Sequence, residues 1–293
     1  MRFLKHRGKQ LVVASMAGVL ALLVFVSLAT AASHNPTGEF AQFNECPLNN
    51  PEVNDCIYSV SSGGYFTVGK KTVPLANPVT LQGGYVGAGE EIEFYGAENG
   101  NTLSKTPQPV PGGLLGITAP SWWPKFIRDW FNEQINNGFT GVKATVELAG
   151  PTKGHLPNVK LSTENLIFGE GTALGLPVKI HLENAILGSN CYIGSDSKPV
   201  QIDFTTGTSG SLTGDPGTVS FNEEFTLTTV SGGKLVNNTF AAPAASGCGG
   251  IFSFFVDPLV NSILGTPSGS GTNSAVLEGK LQDAAASAVI ESE

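Results

Sequence analysis

Between Val178 and Glu183 the chain alternates with a period of two: Val178, Ile180 and Leu182 are apolar, and Lys179, His181 and Glu183 are polar. Successive side chains of a β-strand point to opposite faces, so the run specifies a strand with one face on a core and one toward water. A Gly-Ser-Asn turn then delivers the chain to Cys191. Val142, Ala144, Val146 and Leu148 repeat the pattern. Val159 and Leu161 continue it ahead of Leu166-Ile167-Phe168, and Ile202, Phe204, Leu212, Phe225, Leu227 and Thr229 carry it on. Upstream, 58–68, 79–86 and 91–95 read as short strands divided by Gly-Gly and Asn-Pro turns. The fold class expected is mainly β: an antiparallel β-sandwich or barrel-like sheet covered by one or two amphipathic helices.

The first helix is specified by Trp123, Phe126, Ile127, Trp130, Phe131 and Ile135 at helical spacing, with Ser121 as N-cap and Pro124 in the first turn. Lys125, Arg128, Asp129 and Glu133 take the other side. Such a stripe ordinarily docks on a sheet. Its functional alternative is an aromatic surface for a lipid, a glycan or a protein partner, with Trp122, Trp123, Phe126 and Trp130 as the binding candidates. Trp122 lies off the stripe and is the aromatic expected in solvent. A second helix is expected to start at Pro258 and stop at Gly265, with Phe252, Phe255, Val256, Leu259 and Ile263 at helical spacing around it. Residues 274–281 fit a strand or a helix, and the alanine-rich tail to Glu293 is expected to fray.

The N-terminus has the pattern of a Sec-type signal peptide. Arg2, Lys5, Arg7 and Lys9 precede an uncharged apolar run from Leu11 to Leu28, and Ala29-Thr30-Ala31 supplies small residues at a cleavage site. The expected organisation is a signal peptide over 1–31, a β-rich segment over 32–102, a Pro/Gly-rich linker or loop over 103–120, and a main β domain with two helices over 121–293. Removing the leader leaves no membrane span and takes 4 of the 16 Lys+Arg but none of the 24 Asp+Glu, for a net charge of 12 − 24 = −12. Phosphate-binding basic clusters are absent from the sequence, which speaks against a nucleic-acid partner.

Four cysteines in a chain leaving the reducing cytosol fit disulfides. Of the three possible pairings, Cys46–Cys56 closes a short Asn/Pro loop and Cys191–Cys248 ties the end of the Val178 strand to a Gly-rich turn. A zinc site needs closely paired ligands, and no C-x₂₋₄-C spacing occurs.

Leu187-Gly188-Ser189-Asn190-Cys191-Tyr192-Ile193-Gly194-Ser195, followed by Pro199-Val200 and Thr205-Thr206-Gly207-Thr208, resembles a block recurring in exported actinobacterial proteins of unknown function. Gly271-Thr272-Asn273-Ser274-Ala275-Val276-Leu277 fits the same group. The resemblance implies export and a crosslinked Cys191, and implies no activity.

Candidate chemistry is sparse. His34 lies in the lead, His155 in a Gly-Pro turn, and His181 on the polar face of its strand, where Glu183 points the same way. His181 and Glu183 are the catalytic candidates, as a proton relay or metal pair, although such a pair on a wet strand face is ordinarily surface. Glu90, Glu91 and Glu93 are candidate glycosidase carboxylates with no second partner indicated. Asp196, Asp203 and Asp215 lie in turns whose spacing matches no EF-hand. Asn237-Asn238-Thr239 is a glycosylation sequon. The Gly169–Gly175 stretch has G-x-G-x-x-x-G spacing, lacks a following Lys-Ser/Thr and leads into a strand, so it is no phosphate loop. Neither metal nor cofactor is expected. The function expected is an exported, non-enzymatic β-domain at or beyond the cell envelope, structural or binding in role. The alternatives are a secreted hydrolase or a carrier of an apolar ligand held behind the aromatic helix in a cavity of roughly 300–1,000 Å³.

Overall fold

The strand around Val178 proves to be a hub. In the computed structural model, which describes residues 34–88, 91–137 and 139–293, the strands of interest are β1 (Asp55–Val68), β2 (Lys71–Pro74), β3 (Val79–Ala88), β4 (Glu91–Gly96), β5 (Lys143–Leu148), β6 (Leu174–Glu183), β7 (Tyr192–Ile193), β8 (Val200–Phe204), β9 (Thr218–Phe221), β10 (Leu227–Asn237) and β11 (Ser274–Ala285). Among the described residues four α-helices accompany them: α1 (Lys125–Asn137), α2 (Thr163–Phe168), α3 (Ser253–Leu264) and α4 (Ala286–Glu291). The leader expected over 1–31 lies outside the described residues. No helix among those described is long and apolar enough to cross a membrane.

β6 pairs antiparallel with β5, from Lys143 opposite Glu183 to Leu148 opposite Val178. It also pairs with β7 at His181 and Ile180, and with β8 from Val178 to Leu174. In this sheet Val178, Ile180 and Leu182 are buried, as their alternation requires. The second sheet runs in the order β9-β10-β11-β1-β3-β4 with every pairing antiparallel, and β2 adds to β1. Ile57, Leu81 and Phe94 from this sheet share one hydrophobic core with Val178, Ile180, Val200 and Phe204 from the first. The fold is therefore mainly β and sandwich-like. Residues 103–120 run against both sheets: Leu103 bridges Leu81, Gln108–Pro109 pairs with β5, and Leu103 and Val110 are buried.

One element left open by the sequence is settled, and several others differ from its expectation. The segment open between strand and helix is β11, hydrogen-bonded to β1 on one side and β10 on the other. The alanine-rich tail is α4 rather than a frayed end: Ala286, Ala288 and Val289 are buried with Phe40, Phe43 and the Cys46–Cys56 pair in a satellite core. α3 starts at Ser253, a turn ahead of Pro258, which lies inside the helix. A 3₁₀ turn at Gly250–Phe252 leads into it, so the helix gives up one backbone bond at Pro258. Gly265 does close it in the left-handed conformation, its N–H donating to Asn261 O. Leu166-Ile167-Phe168, which follow the strand pattern in sequence, belong to α2, where Ser162 accepts a hydrogen bond from Asn165 N at 3.1 Å as N-cap. Phe225 stands outside β10, exposed, with φ 56°.

Candidate ligand-binding site

A hollow of about 70 Å³ opens between the first sheet, β1–β2 and α3. Val68, Val146, Ile180, Leu182, Val260 and Leu264 are among its walls, together with Leu114 and Leu187 from two loops. A buried water takes roughly 10–15 Å³ on this measure, so the hollow holds roughly five to seven groups of that size. It lies behind α3, not behind the Trp-bearing α1 as expected for a carrier, and falls below the size expected for one. Two polar residues reach its wall. Gln108 is committed to the backbone: Oε1 accepts from Ala76 N and Asn77 N at 2.9 Å, and Nε2 donates to Asn77 O at 2.8 Å. Lys71 is the other.

The loops around the hollow are fastened to one another. Asn184 Nδ2 donates to Phe139 O at 3.0 Å and to Gly141 O at 2.6 Å, and Gly249 N donates to Leu187 O at 2.7 Å. α1 is strapped to the 112–119 loop, because Gly112 N and Ala119 N donate to Asn136 Oδ1 and Asn132 Oδ1 at 3.0 and 2.8 Å. These segments carry most of the large apolar side chains left exposed among the described residues. Trp122 is 80% exposed, Phe126 75% and Trp130 61%, and on α3 Phe254, Phe255 and Leu259 are also in solvent. Of the aromatic stripe only Trp123, Phe131 and Ile135 are half-buried, and the rings of Trp123 and Phe131 meet edge to face at 5.5 Å. On α3 the rings of Phe254 and Phe255 lie 4.2 Å apart, and clustered exposed apolar side chains mark an interaction site more often than a free surface.

The catalytic candidates His181 and Glu183 do meet, with Nδ1 3.3 Å from Glu183 Oε1. Sequence reading missed their third member: Glu147, one strand over, lies 3.8 Å from the same nitrogen. Glu183 is exposed at 40%, whereas His181 and Glu147 are covered. The His181 side chain is 16% exposed and that of Glu147 12%, because the imidazole stacks on Tyr192 at 4.5 Å. Its Nε2 is buried with no hydrogen-bond partner among the described residues, like Thr145 Oγ1 on the opposing strand position. None of these residues lines the apolar hollow.

The remaining candidates are dispersed. Glu90 lies outside the described residues, and Glu93 approaches His155 Nε2 at 3.7 Å. His34 Nδ1 meets Glu293 Oε1 at 2.6 Å. Asp196 binds Lys179 at 2.7 Å and Gly150 N at 2.9 Å, and the lysine hydrogen bond holds its carboxyl below the usual range. Asp203 faces Lys160 at 3.8 Å, and Asp215 caps Gly217 N at 2.8 Å. Among the described residues no group of three or more His, Cys, Asp or Glu is arranged to hold a metal ion. Asn237 of the sequon is buried, its amide donating to Asp203 O, so no glycan can sit there in the folded protein. Both disulfides form as paired from sequence: Cys46–Cys56, with 5.6 Å between α-carbons, and Cys191–Cys248, with 4.1 Å.

Comparison with protein-family models, with curated proteins and with solved structures gives no match.

Proposed function

We propose that the protein is an exported, disulfide-stabilised, non-enzymatic binding module that holds an apolar molecule at or beyond the cell envelope. One observation carries the reading: an apolar hollow is walled on one side by α3, whose Phe255 and Leu259 are left exposed. Catalysis needs titratable groups converging where a substrate can sit. The carboxylates here are scattered, and Glu147, His181 and Glu183 do not line the apolar hollow. A hydrolase built on His181 and Glu183 has only that close grouping in its favour. The experiment is native mass spectrometry of the leaderless protein after exposure to an envelope lipid extract. Apolar adducts are expected, and Val146→Phe, which fills the hollow, abolishes them while the protein still unfolds cooperatively. Absence of adducts on the unmodified protein overturns the reading.

A further inference from the structure

We infer that the molecule held in the hollow is a single-chain carboxylate, its charged head on Lys71 and its aliphatic chain inside; the inference rests on the binding role proposed above. Lys71 is the one cationic side chain on the wall. Its neighbour Lys70 donates to Ser262 O at 3.3 Å, in the last turn of α3, and so already complements that helix end. The Lys71 backbone pairs with Val68, whereas its side chain has no hydrogen bond or ion pair among the described residues. Its ammonium lies over Gly116, where a β-carbon would come within 2.8 Å of Nζ and 3.6 Å of Ile263 Cγ2. Glycine at that position and the isoleucine of α3 together frame a charge at a wall whose other polar residue, Gln108, is bonded to the backbone.

An ammonium is a compact point charge, suited to a small anionic head, whereas planar or multiply charged heads are usually met by arginine or several donors. No other uncommitted donor reaches the hollow, since Gln108 is spent on Ala76, Asn77 and Thr106. One charge on the protein therefore matches one charge on the ligand. The hollow's capacity of roughly five to seven water-sized groups matches a short run of methylenes. Leu259 and Phe255, one and two helical turns before Ile263 on the same side of α3, are exposed and continue the apolar path beyond it.

The test is calorimetric titration of the leaderless protein with octanoate and with 1-octanol at pH 8 and low salt. Octanoate is expected to bind at least fivefold more tightly than the alcohol. Lys71→Gln should bring octanoate down to the alcohol's affinity and leave the alcohol unchanged, which also shows the variant folded, and Lys71→Arg should retain the preference. Equal binding of acid and alcohol overturns the carboxylate inference and leaves the apolar-ligand role standing. Binding of neither overturns both.

Discussion

Tyr85 on β3 donates a 2.6 Å hydrogen bond to Asp283 Oδ2 on β11, across the full width of the intervening β1. Burial pushes the Asp283 carboxyl up to about 6, with the Tyr85 hydrogen bond opposing and the charge of Asp55 adding to the rise. Asp55 is itself raised by burial, and the Tyr85 hydroxyl is raised by burial and then by Asp283. The other Asp283 oxygen, Oδ1, is buried with no partner among the described residues.

The folded protein therefore holds a proton on Asp283 that the unfolded chain, near 3.8, has released. Between pH about 4 and 6 the native state binds more protons than the unfolded one, so stability falls as pH rises through that window, by about 2–3 kcal/mol, and is fully present below it. Asp283→Asn, which keeps an acceptor for Tyr85, should flatten this slope in urea titrations taken across the window. An unchanged slope in the variant removes Asp283 as its source.

The two disulfides should differ in weight. Cys191 and Cys248 are 57 residues apart, Cys46 and Cys56 only 10. Chain entropy gives about 4 kcal/mol for the longer loop and about 3 for the shorter. Replacing Cys191 and Cys248 by serine should lower the denaturation midpoint more than the same change at Cys46 and Cys56. The reverse ranking would show that local strain or residual unfolded-state structure outweighs loop closure.

His181→Ala should cost about 1 kcal/mol, the worth of its stack on Tyr192, and leave apolar-ligand binding unchanged. The reason is geometric: Ile180 and Leu182, on the other face of β6, line the hollow, while His181 points away from it. Loss of ligand binding at undiminished stability would place His181 in the site after all.

Val289 is fully buried in the satellite core. Val289→Asp should destabilise by roughly 3–5 kcal/mol and lower Tm by roughly 10 °C, the penalty of an unpaired charge in an apolar setting. A melting curve like that of the parent protein would mean the tail frays as its composition suggests.

The β6 strand was legible because one of its faces meets a core and the other does not, so burial is written directly as alternation. β11 was not. Its Ala, Leu, Glu, Lys and Gln residues favour helix in isolation, and only pairing on both edges, with β1 and β10, makes the segment extended. For α1, periodicity marked the apolar stripe correctly but carries no information on what covers it, and Phe126 and Trp130 proved uncovered. Glu147 and Lys71 gave no signal at all. Each reads as an ordinary charged residue of a strand, and each acquires a role only from side chains brought beside it by distant segments.

Because Tyr65 opposes Val276, the longest strand of the larger sheet waits some two hundred residues for the neighbour it needs. At roughly 5–20 residues per second, that is about 10–40 s of ribosome time during which the sheet has a gap in its middle. A polypeptide so ordered leaves one edge of β1 unpaired until β11 is made, and only then does the larger sheet become continuous.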